Sequence, residues 1–220
     1  MKKFLKIIFL VIIIFIILLT INFGRNYFIL KKIYSLGNKF DAGNNYHIKV
    51  VTKTSMVNTT NDYYYMNNKY LSIDKIEYIH TENLSAEEQE SYTKEYNCII
   101  FNNLLTNEYL EFTANENEEF VLSDNPVKKD ESNVIEGYIY CNSYEFSSLL
   151  KKYIFKFIKE DNENYIINLD NKSDEYIDKS NGLLKAIKSV ENNIDTEITF
   201  EKDVVDDTIM DINNYIMKNN

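Results

Sequence analysis

Side chains that carry most biological chemistry are scarce in this chain. Its 220 residues include two histidines, His47 and His80, and two cysteines, Cys98 and Cys141. A bound metal needs several such ligands at short, regular spacing, and neither histidine has a second His or a Cys placed in that way. His47 falls on the polar side of an alternating segment and is expected to be a solvated surface residue. No nucleophile elbow, zinc-protease helix, phosphate-binding loop or dinucleotide glycine pattern occurs. The acidic run at residues 170–175 lacks the glycine and the terminal ligand of a calcium loop and reads as a solvated turn. Paired carboxylates for sugar hydrolysis would suit an acidic chain, but no pair is nominated. The expectation is a non-catalytic protein with no cofactor and no metal. An envelope hydrolase is the enzymatic alternative.

The other unusual cluster is aromatic. The stretch TTNDYYYMNNKYL, residues 59–71, places three tyrosines side by side. Successive strand residues point to opposite faces, so one core face cannot take all three. A two-residue turn at Asn67-Asn68, which asparagine tolerates because it accepts positive φ, fixes a register. Tyr65 then opposes Tyr70, Tyr64 opposes Leu71, Tyr63 opposes Ser72 and Asp62 opposes Ile73. Directly opposed residues share a face. Tyr64, Leu71 and Ile73, with Met66, become the core of the hairpin. Tyr63, Tyr65 and Tyr70, among Asn61, Ser72 and Asp74, form an amphipathic strip with rings to pack and hydroxyls that stay wet. These three are the candidate contacts for a partner or a lipid. An ordinary outer sheet face, where tyrosine is common, is the plainer reading.

Something must position these residues, and the N-terminus says where. Residues 7–23 are apolar except for Thr20 and Asn22. As a helix they reach roughly 25 Å, enough with Phe4 and Leu5 to cross a hydrocarbon core. A signal peptide needs a shorter apolar core and a small-x-small cleavage site; Thr20-Ile21-Asn22-Phe23-Gly24 offers none, and no lipobox cysteine follows. The expectation is residues 1–6 as a cytoplasmic leader, residues 7–23 as an uncleaved transmembrane signal anchor, and residues 24–220 as one extracytoplasmic domain. Lys2, Lys3 and Lys6 favour a cytoplasmic N-terminus, although Arg25, Lys31 and Lys32 weaken that bias. Cys98 and Cys141 would then lie where a disulfide is allowed, though two thiols in apolar runs also serve as small buried hydrophobes.

Charge excludes some partners. Setting Lys2, Lys3 and Lys6 aside leaves 21 of the 24 basic residues against 34 acidic ones, a net of −13 beyond the apolar run. That argues against nucleic acid, which needs clustered Lys and Arg, and against a polybasic membrane patch. A chain 45% hydrophobic and 14% aromatic is too apolar for a disordered acidic tail and can build a core.

The remaining pattern predicts an α+β fold, mainly antiparallel: a single curved sheet or half-open barrel with two or three helices, preceded by the transmembrane helix. Residues 26–40 read as a helix with Leu30, Ile33, Tyr34, Gly37 and Phe40 on one face. Residues 46–54 alternate as a half-buried strand. Strand-like runs follow at NCIIFNN, EYLEF, EEFVLS and EGYIYC, with a short helix or loop at residues 85–92. Residues 143–153 read as a helix. Two further hairpins turn at DNEN and SNG, EITFEK is the last strand, and Asp206-Asp207 cap a final helix carrying Ile209, Ile212 and Ile216.

The segments YIDKSNGLLKAIKS, residues 176–189, and TEITFEKDVVDDTI, residues 196–209, resemble the closing part of LolA-like domains, the lipoprotein-carrier half-barrels. NNYHIKVVTKT and the tyrosine hairpin fit their N-terminal half, so the resemblance covers about residues 26–210. The chain looks closest to the Gram-positive GerS-type germination lipoproteins, but their lipobox cysteine is missing. The resemblance implies a half-open antiparallel barrel that binds acyl chains or lipoproteins, or that has become a protein-binding regulator. The resulting expectation is a membrane-tethered scaffold or accessory factor for a cell-envelope protein partner, in spore cortex or cell-wall processing. Binding of a lipid or lipoprotein in the cavity is the alternative.

Overall fold

A computed structural model describes residues 2–78, 85, 97–115, 119–124, 126, 134–139, 145–170, 172–189 and 193–216. Among the described residues, a long N-terminal helix is followed by one open, wholly antiparallel sheet of eleven strands with few short helices, the fold class expected from the patterning.

Helix α1 runs without a break from Lys2 to Gly37, 36 residues, or about 54 Å at 1.5 Å per residue. Every residue from Phe4 to Ile21 is exposed, and this apolar stretch is long enough to cross a membrane. Beyond it the same helix acquires a buried stripe, Asn26, Ile29, Leu30 and Ile33, at the spacing of one helical face. The separate helix expected at residues 26–40 is thus the second half of α1, and the expected boundary after residue 23 falls inside it. Gly24 does not interrupt the helix. Just beyond it, Arg25 donates from Nη1 to the Ile158 carbonyl at 2.6 Å, and Asn26 donates from Nδ2 to the carbonyls of Ile154 and Lys156 at 2.8 and 2.9 Å. Those partners lie more than a hundred residues away, so no local pattern announces them.

Strands β1 (Asn45–Lys53), β2 (Val57–Met66), β3 (Lys69–Tyr78), β4 (Cys98–Asn103), β5 (Glu108–Ala114) and β6 (Phe120–Leu122) form one meander. Strands β7 (Phe157–Glu160), β8 (Asn164–Leu169), β9 (Ser173–Asp178), β10 (Leu184–Ser189) and β11 (Ile194–Lys202) form a second. β11 returns to pair with β1, joining the two into the order β6-β5-β4-β3-β2-β1-β11-β10-β9-β8-β7. The outer strands have three and four residues, and such short edges limit unwanted pairing. With only five glycines, the turns take left-handed conformations at Asn67, Asn68, Asn107, Asp170, Asn193 and Asp203, the residue types that pay least for it.

The tyrosine hairpin has the expected register: Tyr65 opposes Tyr70, Tyr64 opposes Leu71 and Tyr63 opposes Ser72 across Asn67-Asn68, at φ +48° and +66°. The sheet has two faces, named here for Ile48 and for its neighbour His47. On the Ile48 face, α1 and helix α3 (Phe146–Tyr153) cover the second meander, burying Leu30, Ile33, Leu149, Ile158, Ile167 and Ile177 together. On the His47 face, the C-terminal helices α4 (Asp207–Met210) and α5 (Asn213–Ile216) cover the first meander, over Leu71, Ile73 and Ile99. Asp206 caps α4 by accepting from the Ile209 N–H at 2.8 Å. The segment EGYIYC, expected as a strand, instead contributes helix α2 (Val134–Tyr138) and a single bridge from Ile139 to Leu183. The helix or loop expected at residues 85–92 lies outside the described residues except for Ser85, as do His80 and Cys141.

Gly182, in the turn before β10, shows how tightly α1 is seated. It has φ +78°, and a Cβ there would meet the Gly37 N and the Leu36 Cβ at 3.0 Å. Gly182→Ala is expected to cost about 2–4 kcal/mol, combining left-handed strain with overpacking. Chemical denaturation of the two proteins checks this; equal midpoints would mean that α1 does not sit on the turn.

Candidate functional site

The middle of the sheet carries the aromatic cluster. Tyr46 of β1 is stacked on Tyr65 of β2, with ring centroids 5.0 Å apart and planes at 29°; Tyr65 meets Tyr70 of β3 at 4.6 Å; and Tyr46 reaches Phe200 of β11 at 5.9 Å. Phe40, just past α1, packs edge-on against Phe200 at 5.1 Å. The register explains the row, because Tyr46 opposes Tyr65 and Tyr65 opposes Tyr70. Aromatic pairs at such separations add about 0.5–1.5 kcal/mol each beyond their buried area. The Tyr46 and Tyr70 hydroxyls share a hydrogen bond at 3.2 Å, and Tyr65 donates to Asn68 Oδ1 at 3.3 Å.

Of the three tyrosines expected as wet contacts, Tyr63 and Tyr65 are half-buried. Tyr70 is 2% exposed, a correction to that expectation: its ring lies against Tyr65 and its hydroxyl is bonded to that of Tyr46. Leu71 and Ile73 are buried on the opposite face and Tyr64 packs partly buried against them. Beside the row, α2 leaves a cavity of about 180 Å³ over β1, β10 and β11, lined chiefly by Ile48, Ile135, Tyr138, Leu184, Ile198 and Phe200. Next to it the Ile48 face turns polar. Asp74 accepts from Asn61 Nδ2 at 2.8 Å, from the Ser72 hydroxyl at 3.3 Å and from Cys98 Sγ at 3.7 Å. The Tyr138 hydroxyl is pushed up by burial and by the negative charge of Asp74.

His47 is not the solvated residue its polar strand face suggests. Its side chain is 13% exposed, with Nε2 at 2.8 Å from Asp62 Oδ1 and Nδ1 at 3.1 Å from Glu201 Oε2. Its ring lies flat on Tyr64, 4.4 Å between centroids and 5° between planes. Nothing local could reveal this, because Glu201 arrives on β11 from the far end of the chain. Burial lowers the His47 pKa and is the largest single influence, but hydrogen bonds and charge from Asp62 and Glu201 together raise it above its ordinary value. Tyr64 is pushed up to about 12 by burial, then by the negative charge of Asp62 and by Tyr215 and Glu201. Both imidazole nitrogens are engaged by carboxylates, so the ring has no free nitrogen with which to take a substrate's proton. Among the described residues, no group of three or more His, Cys, Asp and Glu side chains is arranged to hold a metal ion.

The arrangement is therefore a clamp across β1, β2 and β11, with a definite sign. A histidine whose folded pKa is raised contributes stability that is fully present below its unfolded value of about 6.5 and is lost as pH rises through the folded value. Thermal unfolding between about pH 6 and about pH 8 should show the melting temperature falling with pH, and His47→Gln should flatten that fall. An unchanged pH profile in the variant would mean that the clamp carries no charge.

No family model matches the chain, and no curated protein matches it.

Proposed function

We propose that this protein is a membrane-tethered binding domain outside the cytoplasm, anchored by residues 7–23, that acts without catalysis as a scaffold or accessory factor for a protein partner in the cell envelope. The observation supporting this most directly is the filling of the Ile48 face. Phe200, Tyr46, Tyr65 and Tyr70 occupy the middle of the sheet with their own rings, and the space left under α2 is about 180 Å³, below the roughly 300–1,000 Å³ of sites that enclose small molecules. Tyr63 and Tyr65 stay half-exposed, and clustered tyrosines with one wet end are favoured anchors at protein interfaces. The narrower role in spore cortex or cell-wall processing rests on the GerS-type resemblance alone.

A second reading, an acyl chain or lipoprotein segment held in the sheet, is favoured by the apolar part of the same cavity, where Ile48, Ile135, Leu184 and Ile198 converge. An envelope hydrolase has the least support, since the one histidine among the described residues is occupied on both nitrogens.

The test uses the full chain purified from membranes in mild detergent. Mass spectrometry of its extract should find no acyl lipid in one-to-one ratio, and cross-linking in cells should capture one envelope protein that Tyr63→Ser and Tyr65→Ser release. A stoichiometric lipid, displaced by Ile198→Trp, would establish the second reading instead.

A further inference from the structure

Four large apolar side chains are exposed on α1 and the α3–β7 connection, near or just beyond the end of the apolar stretch of α1. Phe23 is 46% exposed, Phe28 71%, Phe155 80% and Phe157 57%. Single exposed hydrophobics are ordinary; several near one another are not. The α3–β7 connection carries Phe155 alongside Phe23, with ring centroids 6.2 Å apart. That proximity is rigidly fixed, because Arg25 and Asn26 on the next turn of α1 are hydrogen-bonded to the carbonyls of Ile154, Lys156 and Ile158. Arg25 also pairs with Glu160 at 3.2 Å. Phe28 lies roughly 8 Å farther along the axis, on the side of α1 away from its buried stripe.

Charge follows the same segments. The chain has a net charge of −10, yet it has no acidic residue before Asp41 and none from residue 146 to residue 159. Those two segments instead bring Arg25, Lys151, Lys152 and Lys159 to the surface, and Lys159 sits 5.3 Å over the ring of Phe157. Aromatic rings at the boundary with long basic side chains just outside it suit the bilayer interface and its anionic headgroups.

We infer that the domain is not held away from the membrane but rests on the lipid leaflet from which α1 emerges, with Phe155 and Phe157 inserted in the interface beside Phe23. The inference rests on the reading that residues 7–23 span the bilayer. The surface is continuous with that span, and its occupant is the lipid surface itself. A domain seated in this way presents one fixed side to any envelope partner.

The chain contains no tryptophan, so a single introduced indole reports its own surroundings. The full chain is reconstituted in vesicles of phosphatidylcholine and phosphatidylglycerol with brominated acyl chains. Three variants are compared: Phe15→Trp within the apolar stretch, Phe155→Trp, and Val121→Trp on the far edge strand. All three positions are exposed, so the fold tolerates the changes. Indoles at 15 and 155 should emit at short wavelength and be quenched by bromine, while the indole at 121 should emit as if in water. Quenching at 15 with position 155 behaving like 121 would leave the span standing and overturn the docked domain. An unquenched indole at 15 would remove the span, and the inference with it.

Discussion

A chain beginning at Asn38 is expected to lose its cooperative unfolding transition, whereas one beginning at Gly24 should keep it. The two differ by the second half of α1, which carries Ile29, Leu30 and Ile33 into the core formed with Leu149, Ile158, Ile167 and Ile177. Burying each such side chain is worth about 1.5–3 kcal/mol, so the three contribute roughly 5–9 kcal/mol. A domain's whole stability is about 5–15 kcal/mol. Asn26 adds to the loss, because its Nδ2 donates to the carbonyls of Ile154 and Lys156, each such bond contributing about 0.5–1.5 kcal/mol net. Its own Oδ1 is buried without a partner, which offsets part of that gain in the intact protein. Thermal unfolding followed by circular dichroism distinguishes the two chains. Equal melting temperatures would show that α1 is only a tether. A single helix that is both the apolar segment and a core element ties retention of that segment to folding: cutting beyond Asn26 would remove part of the domain.

The contrast between what was legible in the sequence and what was not lies in the range of the causes. The hairpin of β2 and β3 was legible to the residue, because Asn67-Asn68 sets a two-residue turn and alternation does the rest. The cap at Asp206 was legible for the same local reason. The continuity of α1 was not. Thr20, Asn22, Gly24 and Arg25 read locally as an exit from a membrane and the end of a helix, and the partners of Arg25 and Asn26 are all distant in the chain. EGYIYC alternates like a strand, yet its residues 136–138 belong to α2, where Ile135 and Tyr138 pack against Ile48 and Ile198. The return of β11 to β1 fixes both candidate sites, because it brings Phe200 to Tyr46 and Glu201 to His47. Periodicity within a strand carries no information about which strand will be its neighbour.

The run of three tyrosines gives the second large effect. Leu71→Ala is expected to cost about 2–5 kcal/mol, the usual range for emptying a fully buried leucine site, because Leu71 is wholly buried against Ile99, Val205 and Met210. Tyr64→Ala removes a half-buried ring from the same cluster and from the face of His47, so it should fall below the roughly 3–5 kcal/mol of a fully buried aromatic. It should also alter the pH dependence of melting, which Leu71→Ala leaves alone. Tyr63→Ser should cost least, because Tyr63 lies on the Ile48 face opposite Ser72 and is half covered. Chemical denaturation of the three variants orders them. The order is informative because a slip of one residue exchanges the faces: it would bring Tyr63 and Tyr65 under α4 and α5 and turn Tyr64 outward, making Tyr63→Ser the most damaging change. The asparagines of the turn exclude that state by fixing the loop at two residues, and His47 reinforces them from the other side. Its bonds to Asp62 and Glu201 and its stacking on Tyr64 form only when β1, β2 and β11 are in register. Three adjacent tyrosines thus supply both faces of one strand, Tyr65 to the aromatic row, Tyr63 to the same Ile48 face and Tyr64 to the clamp, and the cost of moving any of them reports which face it serves.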